Sequence, residues 1–512
     1  MHDDTAALLR KIGPALTTKY IEVFVAAGIP SATARKRVQR GTEEYQKLAG
    51  IRFEKNTRFI YRPEDYGERA FWTNLEAAFY SHGKAYWATV TNLRARGGVC
   101  LLERFAQVSG APIMRRKQLS PDMILERLKA VKMLEEVVDG ELTYIKFRPG
   151  HLLSEPLELI RANELAEFVA LHGIKEWARR LGFGSFNKFN VRGEDQAPVV
   201  SGITFDLSAP AYFRPLLQIV EGKAKPGFLA CDINLHGVVS EPEVEAFVRK
   251  CDGAAFSSKA GRIMPMLVGD IFSAEGLDLA KRKGILAITL ENLFGLELAK
   301  ALRDLVKLLT NAGATASVNP EHLLHVMRVL SKVEGASANL RGALFELVIG
   351  SLVKDVEGGY LKTGQRLIDL GTGAKAEVDV QLDKENNAGF LIVECKAKNP
   401  GARVSEQDVQ RWYSDRVPMI HRIMNTSYKA VQRPFHFEIW TNGVFADSAL
   451  LWLQAQPRTH DSYTVGWKDG AALKVYADRA SNASLRSMLN EHYFRNPMTA
   501  VVSSRRDTDL SD

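Results

Sequence analysis

Cysteine is scarce. The 512 residues contain four (Cys100, Cys231, Cys251 and Cys395), with no C-x-x-C pair, which excludes a cysteine zinc site and a disulfide framework. Long apolar runs are missing too: the most apolar segment, GILAITLENLFGLELAKAL, is broken by Glu291, Glu297 and Lys300, so no membrane-spanning helix is expected. The amino terminus, MHDDTAALLRKIG, carries acids where a secretory signal carries bases. There is no G-x-x-x-x-G-K-[ST] phosphate loop and no nucleophile elbow, so neither an ATP-driven motor nor serine-hydrolase chemistry is expected. These absences point to a cytoplasmic protein with reduced thiols and no membrane contact.

What is present is ordinary in bulk and uneven in charge. A 46% apolar and 25% charged composition excludes wholesale disorder. At roughly 100–200 residues per domain the length implies three to five domains. The formal net charge is +8. Residues 1–150 carry 25 basic and 17 acidic side chains, whereas the remainder carries 43 of each, so the whole excess lies in the first third. That bias suits a front end that faces a polyanion, attached to a neutral body.

The front end reads as helix, turn, helix, short helix and hairpin over residues 17–62. TTKYIEVFVAAG is amphipathic, GIPS is a turn, ATARKRVQRG opens a second helix, and IRFEKNTRFIYR alternates around Lys-Asn-Thr. The order resembles a winged helix-turn-helix, in which the second helix enters a groove and the wing touches phosphate. Arg35, Lys36, Arg37 and Arg40 fall on or beside the recognition helix, and Lys55 and Arg58 on the wing, as candidate nucleic-acid contacts. Residues 84–147 repeat the theme: a helix, then MRRKQ, then SPDMILERLKAVKML with Ser120 as cap, then a hairpin turning at Asp139-Gly140. The intervening GGVCLLERFAQVSG finds no place in that pattern.

Beyond residue 150 the chain repeats itself. FLACDINLHGVVSEPEVEAFVRK (228–250) parallels FLIVECKAKNPGARVSEQDVQRWYSD (390–415), and residues 263–284 parallel 435–456. SGITFDLS parallels AEVDVQLD, aligning Asp206 with Asp379, and Glu- and Leu-rich helices precede both. Three ordered matches indicate a duplicated α/β unit. Expected domains are a winged helix (1–66), a second helical or winged-helix module (67–150), two related α/β domains (151–311 and 321–495) and a disordered tail (496–512).

Chemistry concentrates in the last copy. In FLIVECKAK, period two puts Glu394 and Lys396 on one face of an apolar strand, where an acid and a lysine are costly to bury unless used. The short DKENNAG connection folds EVDVQL back alongside and brings Asp379 to Glu394, while Glu346 approaches from the helix GALFELVIGSL. Converging carboxylates form a hard oxygen site suited to Mg²⁺, with Mn²⁺ as a substitute. Such an ion activates water and stabilises phosphoryl oxygens, and Lys396 places the water or neutralises the transition state. Arg403, in the following loop, is a candidate phosphate contact.

Glu346, Asp379 and Glu394-Cys395-Lys396 together resemble the PD-(D/E)XK nuclease superfamily, the restriction-endonuclease-like fold, over about residues 321–480. The strand-then-helix flanks are most similar to Mrr-like restriction endonucleases. The resemblance implies Asp379 and Glu394 as metal ligands, Lys396 as the catalytic lysine, and Glu346 as the helical acid that completes the metal shell or orients water. One departure is Val378 where the superfamily often has proline. In the middle copy Asp206 and Asp232 remain but Asn234 replaces the lysine, so that copy is expected to be an inactive pseudo-nuclease.

The resulting expectation is an α-rich winged-helix region followed by two tandem restriction-endonuclease-like domains, acting as a metal-dependent DNA endonuclease in restriction of foreign DNA or phage defence. DNA is favoured over RNA as partner. One active site per chain implies a homodimer for double-strand cleavage, and translocation would require an ATP-driven partner protein. A second reading is a winged-helix regulator with structural nuclease-like domains; Lys396, kept where the sibling copy has lost its lysine, speaks against it. A third, a SAM-dependent methyltransferase, rests on RLIDLGTGAKAEVDV, but that reading needs a helix after the glycines and the sequence alternates instead.

Overall fold

A computed structural model describes residues 5–494 except 41–43, 115–117, 141, 186, 221–222, 257–260, 311–319, 334–336, 370, 374, 399–401 and 428–432; at 40, 220, 337, 338 and 427 it describes backbone alone. The Arg40 side chain, part of the MRRKQ segment, most of the segment after residue 310 and the expected tail at 496–512 therefore lie outside the described residues. The chain divides into two compact units, Met1–Ala299 and Lys300–Asp512.

The first unit begins with helices Thr5–Ile12, Thr17–Ala26 and Ser31–Arg40 and a small antiparallel sheet. Tyr20 and Phe24, then Ala34 and Val38, stand four residues apart and so share a face; they close a core with Leu8, Leu9 and Ile60. Strand Phe59–Tyr61 is central, flanked by Ala15–Leu16 and Gln46–Lys47. The hairpin read in IRFEKNTRFIYR forms differently. Its outer strand is Gln46–Lys47, and residues 51–53 are unpaired. Ile51 and Phe53 alternate because they sink into the core beside Leu48. A single turn at Glu54–Asn56 follows, in which Lys55 and Asn56 have φ of 55°.

Next come helices Arg69–His82 and Lys84–Arg94, strand Val99–Leu101, helices Phe105–Ser109 and Pro121–Ala130, and the hairpin Leu134–Asp139/Leu142–Phe147. Ser120 Oγ accepts from the Met123 amide at 3.3 Å with Pro121 in the first helical position, the cap expected from the sequence. Leu142–Phe147 lies between Leu134–Asp139 and Val99–Leu101, so this sheet repeats the strand order of the first. The segment GGVCLLERFAQVSG supplies its third strand and a short helix.

Helix Leu157–Arg180 then packs on a five-stranded sheet: Asn190–Val191, Leu207–Ala211, Gly227–Val239, Ile263–Phe272 and Leu286–Thr289, adjacent in chain order. The first two pairings are antiparallel and the last two parallel. Helices Glu241–Ala255 and Ala274–Arg282 make the parallel crossovers.

In the second unit, strands Tyr360–Ile368, Lys375–Asp383, Phe390–Lys396, Phe435–Thr441 and Tyr463–Lys468 form a five-stranded sheet, and helix Ser337–Glu357 packs on the first three. Order and direction repeat those of the first unit's five-stranded sheet, with two antiparallel pairings and then two parallel ones. Ser240 and Ser405 each close a capping box, with Glu243 and Asp408, at the start of the first crossover helix. The second of these helices contains a π-helical turn, Trp412–Arg416, which accommodates one extra residue.

Candidate active site

The Phe390–Lys396 strand is apolar on both faces because helices cover it, and Val393 and Ile392 are buried. Its register with Lys375–Asp383 pairs Val380 with Val393, and one step further puts Asp379 opposite Glu394. Asp379 Oδ2 accepts the Cys395 amide at 2.7 Å. Glu394, 4% exposed, receives Lys396 Nζ at 2.9 Å and Arg416 Nη1 at 2.6 Å on the same oxygen. Arg416 also donates to the Glu377 carbonyl at 2.9 Å, which anchors the crossover helix to the neighbouring strand. The four expected residues Glu346, Asp379, Glu394 and Lys396 are thus brought together, with Arg416 as a fifth that no sequence pattern singled out.

The electrostatics are those of an acid-rich site. Burial, then the Glu394 and Glu346 charges, push the Asp379 carboxyl well above the usual carboxylate range. Burial, Glu377 and Glu394 push Glu346 up to about 7. Burial works against a charged Lys396, but Glu394 outweighs it and the ammonium is held more firmly than in water. Three carboxylates, with Glu377 at the rim, therefore face two cations. Among the described residues no three His, Cys, Asp or Glu side chains stand as a ready metal cage. The donors are nevertheless all hard carboxylate oxygens, and their mutual repulsion is what a divalent cation relieves.

The equivalent place in the first unit is filled instead. Leu207 pairs with Cys231, so Asp206 stands opposite Asp232, and Asp206 Oδ2 accepts the Ile233 amide at 2.9 Å, matching Asp379 and Cys395. Asp206 Oδ1 is held by Arg104 at 3.0 Å and Arg192 at 2.8 Å. Glu167, on the preceding helix as Glu346 is, accepts from the same two arginines at 3.2 and 2.8 Å. Lys250 Nζ lies 2.5 Å from Asp232 Oδ2. Asn234 spends its amide on the Ala95 carbonyl and the His236 amide. Burial opposes ionisation of Asp206, yet Arg192 and Arg104 outweigh it and hold the carboxyl well below the usual range. The equivalently placed Asp206 and Asp379 are pushed in opposite directions because two arginines bond the first directly, whereas the cations of the second site pair with Glu394.

Arg104 comes from GGVCLLERFAQVSG, and Gln107 from the same segment donates to Asp206 Oδ2 at 3.1 Å. Lys250 and Arg416 occupy matching places on the crossover helices, ten and eleven residues beyond Ser240 and Ser405, the π-turn absorbing the difference.

The candidate nucleic-acid residues belong to the first unit, apart from Arg403 in the second. Arg35 and Lys36 are exposed on Ser31–Arg40, while Arg37 packs over Phe24 with 5.8 Å to the ring centre. Lys55 and Arg58 are exposed on the turn and strand approach. Arg403 is exposed and pairs with Asp447 at 3.3 Å.

No protein-family model matches the sequence, and no curated protein matches it. Among the described residues no helix is long and apolar enough to cross a membrane. Solved structures with local similarity include AF1548, a protein of unknown function, at 16% identity and TM-score 0.18, covering 24% of this chain and 56% of that one. The MspJI restriction endonuclease in complex with a 27-mer oligonucleotide matches at 15% identity and TM-score 0.18, over 44% of this chain and 53% of that one. The FokI restriction endonuclease bound to DNA matches at 12% identity and TM-score 0.16, over 55% and 60%. The chain thus spans between 53% and 60% of the length of these three. It is a mixed α/β, multidomain protein with restriction endonucleases among its low-similarity structural neighbours.

Proposed function

We propose that the chain is a metal-dependent DNA endonuclease whose active site is Glu346, Asp379, Glu394 and Lys396. The observation that carries the reading is the Lys396 ammonium 2.9 Å from Glu394, on a strand whose neighbour presents Asp379, with acids in excess of cations. Asp379 and Glu394, with Glu346, would hold Mg²⁺ or Mn²⁺, which supplies an activated water and Lewis-acid stabilisation when bound. Lys396 neutralises charge gathering on the phosphoryl oxygens, and Arg416 orients Glu394.

On this reading the first unit's five-stranded sheet is a degenerate copy whose acids are stabilised by Arg104, Arg192 and Lys250. The two small sheets before it belong to winged-helix modules, a reading supported by their shared order of helix, strand, two helices and hairpin. Their basic residues Arg35, Lys36, Lys55 and Arg58 then grip phosphates.

The test is cleavage of supercoiled plasmid and single-stranded DNA with Mg²⁺ by the wild-type chain and by Lys396→Ala and Asp379→Ala. Each substitution is expected to reduce the rate by about 100-fold or more. Cleavage that survives both would sink the assignment, and Asn234→Ala is expected to leave the rate unchanged.

A further inference from the structure

A cavity of about 910 Å³ opens within the first unit, and none of its lining residues is among those assigned above. Its walls come from the loop carrying Arg52 and Phe53, Gly83 and the start of the helix Lys84–Arg94, the helix Pro121–Ala130 and the end of the helix Glu241–Ala255. That size takes an organic ligand rather than an ion.

The lining combines two chemistries. Arg52, Arg127 and Arg249 contribute three guanidinium groups against the acids Glu54 and Asp252; Lys84 is already engaged by Glu245 at 3.0 Å. Arg127 donates to the Tyr86 hydroxyl at 2.8 Å, and no described acid pairs with it. Arg249 is half-buried, and among the described residues no hydrogen bond or ion pair engages its guanidinium. Burial weakens the hold on its proton, with Glu54 opposing, so an anion brought beside it gains a desolvated partner. The second chemistry is aromatic: Phe53 and Tyr86 form a buried floor, and Phe256 stands 83% exposed at the rim. A large aromatic left in water at a concave mouth offers a face to a planar ring.

We propose that this cavity binds a nucleoside phosphate, the phosphate on Arg249 and Arg127 and the base against Phe256. An anionic group alone would need no aromatic face, and an apolar ligand would leave the guanidinium groups desolvated without return. The nucleotide is either free or part of a strand, and the chemistry recognised is the same. The site does not depend on the nuclease reading, since none of its residues belongs to that centre.

The experiment titrates the full chain in EDTA, so that no metal reaches the acidic site, with AMP, ATP, a single-stranded decanucleotide and inorganic phosphate. Micromolar binding of a nucleotide or of the oligonucleotide is expected. Arg249→Gln should weaken it at least tenfold and Phe256→Ala at least threefold. Binding of AMP or ATP identifies a free nucleotide, and binding of the decanucleotide alone, still sensitive to Arg249→Gln, identifies a strand; either upholds the proposal. Should Arg249→Gln fail to fold, Phe256→Ala on the open rim carries the test. The proposal is overturned by no binding, by binding indifferent to both substitutions, or by phosphate competing as well as AMP. Loss of plasmid cleavage in Lys396→Ala bears on the nuclease reading only.

Discussion

Arg104 Nη2 lies 3.0 Å from Asp206 Oδ1 across 102 residues of chain, and both side chains are almost sealed from water. The same guanidinium serves Glu164 and Glu167. Three acids and two arginines, Arg192 being the second, are stable in low dielectric only as a set, since each charge removed leaves another uncompensated. Arg104→Ala is therefore expected to lower the unfolding free energy of the full chain by about 3–5 kcal/mol, read from urea midpoints. Asp206→Asn in that background should recover part of the loss. A change below about 1 kcal/mol would show that Arg192 suffices alone.

Asp379 and Glu346 of the second unit have no such arginine partners among the described residues, so on the nuclease proposal metal binding should be measurable without any substrate. Mg²⁺ at about 100 times its Kd adds about 2.7 kcal/mol to the folded state. The thermal midpoint should rise by several degrees with Mg²⁺ and return with EDTA. Asp379→Asn removes one of three mutually repelling carboxylates, so its metal-free midpoint should match or exceed wild type while its response to Mg²⁺ disappears. A response equal to that of wild type would place the ion elsewhere.

How far these sites were legible in the sequence follows from the kind of contact involved. Asp379, Glu394 and Lys396 converge through period two and one short turn, both local, and a single register buries the apolar faces. The neutralising groups are another matter. Arg416 reaches Glu394 from 22 residues away through a helix whose phase is altered by a π-turn. Arg104 reaches Asp206 only after a strand and a short helix have been placed by tertiary packing. Glu167 looks like any acid on an amphipathic helix until its neighbours are known. The alternation in IRFEKNTRFIYR is real, but burial of Ile51 and Phe53 in an unpaired segment produces the same signal as a strand.

Acid should loosen the first unit through His236. Its Nδ1 lies 3.3 Å from Asn163 Nδ2, and Nε2 is buried with no partner among the described residues. Burial lowers its pKa to about 4, with Glu167 opposing. The unfolded chain, with a histidine near 6.5, takes up the proton first. Stability is thus constant above about pH 6.5 and falls between there and pH 4, by at most about 3 kcal/mol. His421, His436 and His492 are shifted the same way in the second unit, so the comparison to make is wild type against His236→Gln. The variant should show a shallower loss of urea midpoint from pH 7 to 4.5; identical slopes would exclude His236 as the source.

The basic excess of the first 150 residues is a statement about counter-ions as much as about direct phosphate binding. Arg35 and Lys36 project into solvent from Ser31–Arg40, so neither is needed for the core that Ala34 and Val38 close. If both meet phosphates, each releases about one condensed cation on binding, and the slope of log affinity against log salt falls by about 0.9 for every phosphate no longer neutralised. Arg35→Ala with Lys36→Ala should therefore reduce the slope for duplex DNA by about 2 and weaken binding equally on unrelated sequences. The thermal midpoint should not move. Arg37→Ala differs, because its guanidinium packs over Phe24 at 5.8 Å and its removal should cost stability as well as affinity. An unchanged salt slope in the double variant would remove this helix from the DNA interface and shift phosphate binding to Lys55 and Arg58.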